Sequence, residues 1–396
     1  MKILFIVFNH VLSNKSHIVR LNMSLDYICH NNDVSILCLT NKRNLLQEKK
    51  YKHVKFYYHP IKFNWREVKN IVDIVNFINN INVQNKFDLV IQVMEIWDLI
   101  RELSSQIEKW HFSVIFHAMP FLWTPQKVSH DFDYDVYKHY ITESKLYRKN
   151  YIKNHYKEFN KTMSKIGIIA ANPTVGYYLK NYCKKLPVST LESFRLSPIW
   201  YTVSKEKNKI YDFVYMARIE KWKWIEYLEK ILVHIEKILN RKIKIAILWS
   251  IEDFYSHDAL TRIKHNENID VSYLGWCSNK EKKEILSKSK VFLYPSIYDT
   301  YSITLAEAVS IGLPCVVRDV LYTKMNYSKV PLVWRIPFWR YKKFAEKAIF
   351  LLNNNSKKKE HTLIQKINKK QYFSEIGESD LYSYINSCKH GEDYKL

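Results

Sequence analysis

Strand-length apolar runs that alternate with helical patterns constrain the fold of this chain more than any other feature. The runs are near-continuous blocks of Val, Ile, Leu and Phe, as expected for parallel strands that helices cover on both faces. In the first half they are Lys2–Phe8, Asp33–Leu39, Val54–His59, Phe87–Val93, Ser113–His117 and Ile166–Ala171. In the second half they are Asp212–Ala217, Lys242–Trp249, Ile269–Leu274, Val291–Tyr294, Pro314–Val317 and Pro331–Arg335.

The two series predict an α/β protein with two tandem, doubly wound, Rossmann-like domains that face a cleft. A chain of 396 residues suits two domains of roughly 150–200 residues each. We predict one domain over residues 1–197, a linker over residues 198–209 and a second domain over residues 210–371. Residues 372–396 are expected to form a C-terminal helix or tail that packs back on the first domain. Ligands of such folds bind at the carboxyl ends of the strands.

Composition excludes several classes of protein. No apolar run approaches the ~20 residues that a membrane-spanning helix requires. The six cysteines are scattered and form no Cys-x-x-Cys pair, which argues against a zinc site or a disulfide framework and favours a reducing compartment. We therefore expect a cytoplasmic protein.

The net charge of +23, from 62 Lys and Arg against 39 Asp and Glu, indicates a polyanionic partner. The candidates are nucleic acid, an anionic membrane face or a phosphate-bearing substrate. The segment Tyr137–Lys165 carries 8 Lys and Arg against 2 Glu, interleaved with tyrosines. It is either a solvated helix or a surface that binds anionic lipid at the inner face of the membrane.

The most informative segment is Phe292–Val317. An apolar strand ends at Pro295-Ser296, a short loop carries Asp299, and a helix is predicted to begin near Tyr301 and to end at Gly312. A helix that begins at the carboxyl end of a parallel strand presents unpaired N–H groups and a positive dipole end to a phosphate.

This segment resembles the donor-binding signature of retaining GT-B glycosyltransferases, particularly glycosyltransferase family 4. That signature has a strand ending in Pro-Ser, then Glu-x7-Glu followed by Ala, Gly and Pro. Here Asp299 stands for the first Glu, and Glu307-Ala308, Gly312 and Pro314 follow in register. The resemblance implies that the second domain binds a nucleotide-sugar donor.

The family roles carry over to the matching positions. The resemblance implies that Glu307 holds the ribose hydroxyls and that Asp299 contacts the transferred sugar. The diphosphate is expected to bind backbone N–H groups at the helix start, which comprises Tyr301, Ser302, Ile303 and Thr304.

Two upstream elements match the same family. Asp212–Lys223 resembles its strand-Arg-x4-Lys element, which implies that Arg218 and Lys223 neutralise the donor diphosphate. The segment Val271–Trp276 resembles its strand-Gly-Trp turn, where the nucleotide base docks. This assigns the base site to Leu274, Gly275 and Trp276. In the first domain, His117 corresponds in position to a family His that contacts the donor sugar.

Each assigned residue also has a purely structural interpretation. In these structural interpretations, Glu307 is a carboxylate on the protein surface, and Asp299 is the N-cap of the following helix. Arg218 is a surface charge at the end of a strand. Trp276 is a core residue, and His117 is a structural histidine.

The resemblance implies a retaining glycosyltransferase that needs no metal and no cofactor beyond the nucleotide sugar, and whose acceptor is a saccharide or a lipid-linked saccharide. The one Asp-x-Asp run, Asp131–Asp135, lies away from the donor motifs and is interpreted as a solvated loop. The alternative enzyme is a GT-B nucleotide-sugar epimerase. The alternative from another class is a basic nucleic-acid-binding protein, which the dispersed bases and the absence of a nucleic-acid module disfavour.

Overall fold

Two compact units account for the computed structural model, one formed by Met1–Phe194 with Ser374–Leu396 and the other by Arg195–Phe373. The structure describes residues 1–8, 21, 25, 28–64, 67–94, 96–107, 111–116, 161–182, 186–191, 200, 208–219, 223, 225–251, 254–296, 299, 302–337, 340–354 and 380–389. Among these residues, no helix has the length and apolar character needed to cross a membrane.

The strands and helices alternate along most of the described chain. The strands, β1 to β15 in order, are Lys2–Phe8, Asp33–Leu39, Lys55–His59, Phe63–Asn64, Glu67–Val68, Leu89–Gln92, Phe112–Phe116, Gly167–Ala170, Val188–Thr190, Tyr211–Met216, Ile243–Leu248, Ile269–Gly275, Ser289–Tyr294, Cys315–Arg318 and Val333–Ile336. The helices, α1 to α11 in order, are Leu45–Lys50, Ile71–Asn85, Trp97–Gln106, Pro173–Tyr182, Ile225–Leu239, Phe254–His265, Asn279–Ser287, Ile303–Ser310, Leu321–Tyr327, Tyr341–Asn353 and Asp380–Lys389.

The first unit contains a seven-stranded parallel sheet in the order β3-β2-β1-β6-β7-β8-β9. Strand β1 shows why its sequence is apolar throughout. Ile3, Phe5 and Val7 join one buried cluster, while Leu4, Ile6 and Phe8 join the other. Because successive side chains of a strand point to opposite faces, both faces of this sheet are covered.

The C-terminal helix α11 belongs to the first unit. Leu381, Tyr384 and Ile385 are buried in the same cluster as Ile3, Phe5 and Val7. The hydroxyl groups of Tyr384 and Ser113 lie 2.8 Å apart. A Cβ atom at Gly167, on the neighbouring strand β8, would lie 2.5 Å from the Tyr384 hydroxyl. Glycine at this position therefore leaves room for the Tyr384 hydroxyl beside Ser113.

The second unit contains a six-stranded parallel sheet in the order β12-β11-β10-β13-β14-β15. The chain first builds outward from β10 to β12 and then returns to place β13 on the other side of β10. This reversal creates a switch point between β10 and β13, where open α/β sheets bind ligands. Together the two parallel sheets confirm the predicted pair of Rossmann-like domains.

Asp212, the second residue of β10, joins three strands of this sheet. Its Oδ2 accepts hydrogen bonds from the Arg241 guanidinium at 2.8 Å and from the backbone N–H of Lys244 at 3.2 Å. Its Oδ1 accepts a hydrogen bond from Lys290 Nζ at 2.9 Å. Burial acts to raise the pKa of Asp212, but these hydrogen bonds outweigh it and lower that pKa below its ordinary value.

Two details differ from the predicted pattern. Strand β9 and the two-residue antiparallel pair β4 and β5 were not expected. The helix after β13 was expected to begin near Tyr301 but begins at Ile303. The C-terminal helix or tail expected over residues 372–396 is a helix over Asp380–Lys389, and its other residues lie outside the described part of the chain.

Candidate functional site

The residues of the donor motifs follow the two strands that meet at the switch point of the second sheet. Strand β10 ends at Met216, and the exposed Arg218 comes two residues later. The neighbouring strand β13 ends at Tyr294 and is followed by Asp299 and helix α8. Carboxyl ends of parallel strands lie at one edge of a sheet, so both motifs contribute to the same edge.

Helix α8 begins with an unusual cap. Ser302 adopts the left-handed conformation, with φ of 62° and ψ of 82°, and its hydroxyl accepts a hydrogen bond from the backbone N–H of Leu305. The Tyr327 hydroxyl donates to the Ser302 carbonyl at 2.9 Å. The left-handed conformation costs a non-glycine residue roughly 1–2 kcal/mol. Ser302 thus holds a backbone conformation that glycine would adopt without strain.

The start of α8 has the properties of an anion site. The first-turn N–H groups of a helix have no partner within the helix, and the helix dipole places partial positive charge there. Ile303 and Thr304 form this first turn and are half-buried. Asp299 does not cap the helix, because Ser302 does, so the capping interpretation of Asp299 is wrong.

Asp299 is held by two donors. Its Oδ2 lies 2.9 Å from Lys223 Nζ and accepts a hydrogen bond, also of 2.9 Å, from the Tyr294 hydroxyl. Lys223 is buried, and its ammonium group lies 5.7 Å from the centroid of the Tyr294 ring. Burial raises the pKa of Tyr294, and the charge of Asp299 raises it further. The phenol therefore remains a neutral donor at pH 7.

Glu307 lies in the interior of the second unit, with 4% of the residue exposed. The surface interpretation of this carboxylate is therefore wrong. Its Oε1 lies 2.7 Å from the buried Lys282 Nζ, whereas its Oε2 is buried with no hydrogen-bond partner among the described residues. Burial raises the pKa of Glu307, and Lys282 acts in the opposite direction.

The segment assigned to the nucleotide base lies at the end of β12. Trp276 is 62% exposed, which contradicts the core-packing interpretation, and Leu274 is exposed as well. Gly275 has φ of 62°, a conformation that glycine adopts without strain. The neighbouring Trp249 has φ of 110°, its backbone N–H donates to the Gly275 carbonyl at 2.6 Å, and its own carbonyl accepts from Tyr273.

Several sequence-assigned residues lie outside the described part of the chain. These are His117, Tyr301, the run Asp131–Asp135 and, except for residues 161–165, the segment Tyr137–Lys165. Among the described residues, no three His, Cys, Asp or Glu side chains converge in a way that could hold a metal ion.

The structure adds two side chains that sequence reasoning missed, Tyr294 and Lys282. Tyr294 is the last residue of an apolar strand, and an aromatic residue there indicates core packing. Lys282 lies in the polar run Asn279–Glu284, where charged residues indicate a solvated helix face. The one sequence feature that could have indicated a role for Lys282 is its position on α7, which directly follows the strand-Gly-Trp turn assigned to the nucleotide base.

A family model described as Glycosyl transferases group 1 matches residues 200–370. A comparison with curated proteins finds no match. The matched range contains every described residue of the donor motifs, from Arg218 to Glu307.

Solved structures share the fold over nearly the whole chain. Sucrose-phosphate synthase (tll1590) from Thermosynechococcus elongatus has a TM-score of 0.69 at 11% identity and covers 98% of both chains. Alr3699/HepE from Anabaena, in complex with UDP and glucose, has a TM-score of 0.65 at 9% identity and covers 99% of this chain and 100% of that one. WaaG, a glycosyltransferase involved in lipopolysaccharide biosynthesis, has a TM-score of 0.62 at 11% identity and covers 97% and 98%.

At these identities the likeness establishes the fold. Both sheets and their flanking helices match the two Rossmann-like domains of GT-B proteins, so the predicted fold class is confirmed. The predicted likeness to GT-B glycosyltransferases is confirmed as well, while membership of family 4 in particular stays a prediction.

Proposed function

We propose, for a GT-B chain whose residues 200–370 match the group 1 glycosyl transferases, that it moves a sugar from a nucleotide-sugar donor to a hydroxyl acceptor with retention of configuration. The observation that carries the proposal is the buried Glu307, whose Oε2 lacks a hydrogen-bond partner among the described residues. A buried acceptor without a partner costs about 1–3 kcal/mol. A ligand hydroxyl would remove that penalty.

The donor is expected to bind at the carboxyl ends of the strands of the second sheet. The ribose hydroxyls donate to Glu307, and the base contacts the turn of Leu274, Gly275 and Trp276. The diphosphate accepts hydrogen bonds from the N–H groups at the start of α8. The positive charges of Arg218 and Lys223 neutralise it. Asp299 contacts the transferred sugar. The assignment of His117 to that sugar stays a prediction, because His117 lies outside the described residues.

The chemistry assigned to these groups is electrostatic. As the glycosidic bond breaks, negative charge accumulates on the leaving diphosphate, where Arg218, Lys223 and the helix dipole stabilise it. The departing diphosphate accepts the proton of the incoming hydroxyl on the same face of the sugar, which yields retention without a covalent enzyme intermediate. No step requires a metal ion, because fixed cationic and dipolar groups neutralise the phosphates.

The similar proteins guide the choice of substrates. HepE has been crystallised with UDP and glucose and with UDP-glucose, so UDP-sugars are the first donors to test. WaaG acts in lipopolysaccharide biosynthesis, which supports a saccharide or lipid-linked saccharide as acceptor. An acceptor of that kind would place the enzyme in the synthesis of a cell-surface glycan.

The test is a mass-spectrometric screen of UDP- and GDP-sugars for slow hydrolysis and for transfer to added saccharides. We expect one donor to release its nucleoside diphosphate, with activity that survives excess EDTA. Proton NMR of the product should show the anomeric configuration of the donor. Activity lost in EDTA and restored by magnesium would contradict the metal-free mechanism, and an inverted product would contradict retention.

The same screen separates the alternatives. A nucleotide-sugar epimerase would yield a changed sugar without any acceptor. A protein that binds nucleic acid would leave every donor intact, and no nucleoside diphosphate would raise its melting temperature. Either outcome would overturn the transferase proposal.

A further inference from the structure

A buried lysine contacts the carboxylate that we assign to the donor ribose. Lys282 projects from α7, and its Nζ lies 2.7 Å from Oε1 of Glu307, with side chains only 8% and 5% exposed. Within the described part of the chain, Glu307 is the one carboxylate within ion-pair distance of this ammonium group. Breaking a buried ion pair by removing one partner leaves the other charge uncompensated.

Two indole rings complete the surroundings of the ammonium group. Lys282 Nζ lies 5.3 Å from the centroid of the Trp200 ring and 5.9 Å from that of the Trp249 ring. A cation within about 6 Å of an aromatic face is attracted to it. Trp200 is fully buried, and hydrogen bonds fix the backbone of Trp249 against β12. The rings therefore limit the positions that the lysine can adopt.

The pair leaves the two oxygens of Glu307 in different states. Lys282 occupies Oε1, whereas Oε2 is buried without a partner among the described residues. A carboxylate accepts several hydrogen bonds when ionised, but a protonated carboxyl loses part of that capacity. An acceptor for two neighbouring hydroxyls must therefore be both oriented and charged.

We propose that Lys282 is a positioning residue of the donor site, which holds Glu307 in the orientation and in the charged form that accept the ribose hydroxyls. The inference rests on the proposed function, because it gives Lys282 a role only if Glu307 binds a nucleotide.

The electrostatic surroundings support this role. Burial raises the pKa of Glu307. The charge and the hydrogen bond of Lys282 act in the opposite direction and partly offset that rise. Near the ammonium group, burial raises the pKa of the Cys277 thiol, so that thiol is neutral at pH 7. The carboxylate of Glu281 is exposed and bonded to Ser278. Loss of Lys282 is therefore expected to raise the pKa of Glu307 further.

The experiment is calorimetric titration with UDP and GDP between pH 6 and pH 9. Lys282→Met keeps an unbranched apolar stem near the two indole rings but removes the charge. We expect its affinity at pH 7 to be on the order of tenfold below that of the unsubstituted protein, because only the ionised fraction of Glu307 binds. The deficit should shrink towards pH 9. Since both proteins bind the same nucleotide, the ionisation of its phosphates cancels in the ratio.

Lys280→Met is the matched control, because it removes the same charge from an exposed position of the same helix. Its affinity should equal that of the unsubstituted protein at every pH. In a Glu307→Gln background, Lys282→Met should add less than about a twofold loss, without any pH dependence, since a neutral amide needs no cation.

The outcomes separate the two proposals. If the unsubstituted protein binds neither nucleotide, the proposed function fails. If it binds, a Lys282→Met deficit that is absent or equal at every pH overturns the role of Lys282. Circular dichroism verifies the fold, and Lys282→Gln serves as a second variant should Lys282→Met not fold. It donates a neutral hydrogen bond to Glu307, so its deficit should have the same pH dependence and a smaller size.

Discussion

The ammonium group of Lys223 lies 2.9 Å from Oδ2 of Asp299, with side chains 10% and 21% exposed. The motif resemblance assigns Lys223 to the donor diphosphate and Asp299 to the donor sugar. The residue assigned to the leaving group therefore contacts the residue assigned to the sugar. A diphosphate carries more negative charge than a carboxylate and competes for the same cation. The proposed function therefore predicts that Lys223 contacts both anions in the donor complex and fixes the sugar relative to its leaving group.

A double-mutant cycle tests this coupling. Lys223→Met should lower turnover on the order of hundredfold, as expected when a group that stabilises transition-state charge is lost. Asp299→Asn should lower turnover on the order of tenfold. The double variant should lose less than the product of the two effects, because residues that act as a unit are non-additive. Strictly multiplicative losses in initial-rate assays would mean that the contact has no part in catalysis.

Tyr294→Phe removes the hydrogen bond from the Tyr294 hydroxyl to Asp299 and leaves the ring in place. We expect turnover to fall on the order of tenfold, while nucleoside diphosphate affinity changes less than about twofold, because Asp299 is assigned to the sugar alone. The measurement is a pair of assays, initial rates for turnover and calorimetry for affinity. Tyr57→Phe, in strand β3 of the first sheet, is the control and should alter neither. An equal loss of affinity and turnover in Tyr294→Phe would mean that the Tyr294 hydroxyl stabilises the folded domain and has no specific role in positioning Asp299.

The fold was predictable because buried parallel strands leave a strong pattern. Runs such as Lys2–Phe8 and Asp33–Leu39 are apolar over their full length, since both faces of the sheet are covered. The edge strand β9 has only three residues, Val188–Thr190, and follows a proline, so no apolar run marks it. Helix α8 starts at Ile303 because Ser302 takes a left-handed conformation that the sequence pattern does not reveal.

The site was predictable only where its residues belong to motifs. Asp299 and Glu307 were assigned through their resemblance to the Glu-x7-Glu signature, and Arg218 through its resemblance to the strand-Arg-x4-Lys element. Lys282 was not found, because its burial depends on Trp200 and Trp249, which are distant in sequence and meet it only in the folded domain. The pairing of Lys223 with Asp299 was missed for the same reason, since 76 residues separate them.

Asp212→Asn should destabilise the protein by about 1–3 kcal/mol at pH 7, because charged hydrogen bonds to Arg241 and Lys290 are lost. The folded-state pKa of Asp212 is lowered. Its contribution to stability is therefore present above the unfolded pKa, about 4, and is lost as the pH falls through the folded value.

Urea unfolding at pH 7 and at pH 3 measures both effects. The difference between the unsubstituted protein and Asp212→Asn should shrink in acid. Asp270→Asn is the control, because its contact with Lys244 is 3.9 Å long and exposed, and such pairs contribute about 0–1 kcal/mol. If the difference in unfolding free energy is equal at both pH values, the charge of the Asp212 carboxylate does not account for the stabilisation.

The segment Tyr137–Lys165 is expected to bind anionic membranes. It carries 8 Lys and Arg against 2 Glu, and each basic residue close to an anionic surface contributes about 1 kcal/mol. Co-sedimentation with phosphatidylserine liposomes should therefore be strong at low salt. It should fall steeply as salt rises, since the Debye length shrinks to roughly 3 Å near 1 M.

Glutamine at Lys145, Arg148 and Lys149 should release the protein from these liposomes. Glutamine at Lys357, Lys358 and Lys359, which removes the same charge from another run, should not. If the unsubstituted protein stays in the supernatant at low salt, its basic surplus serves a soluble partner instead.

The central claim, that the edge of the second sheet binds a nucleotide sugar through Glu307, is tested most directly by calorimetric titration of Glu307→Ala with UDP and GDP. The unsubstituted protein should bind one of them in the micromolar range, about −8 kcal/mol. Glu307→Ala should be folded by circular dichroism and show no measurable binding, because the ribose hydroxyls lose their acceptor. A folded Glu307→Ala that binds the nucleotide with unchanged affinity would contradict the assignment of the site.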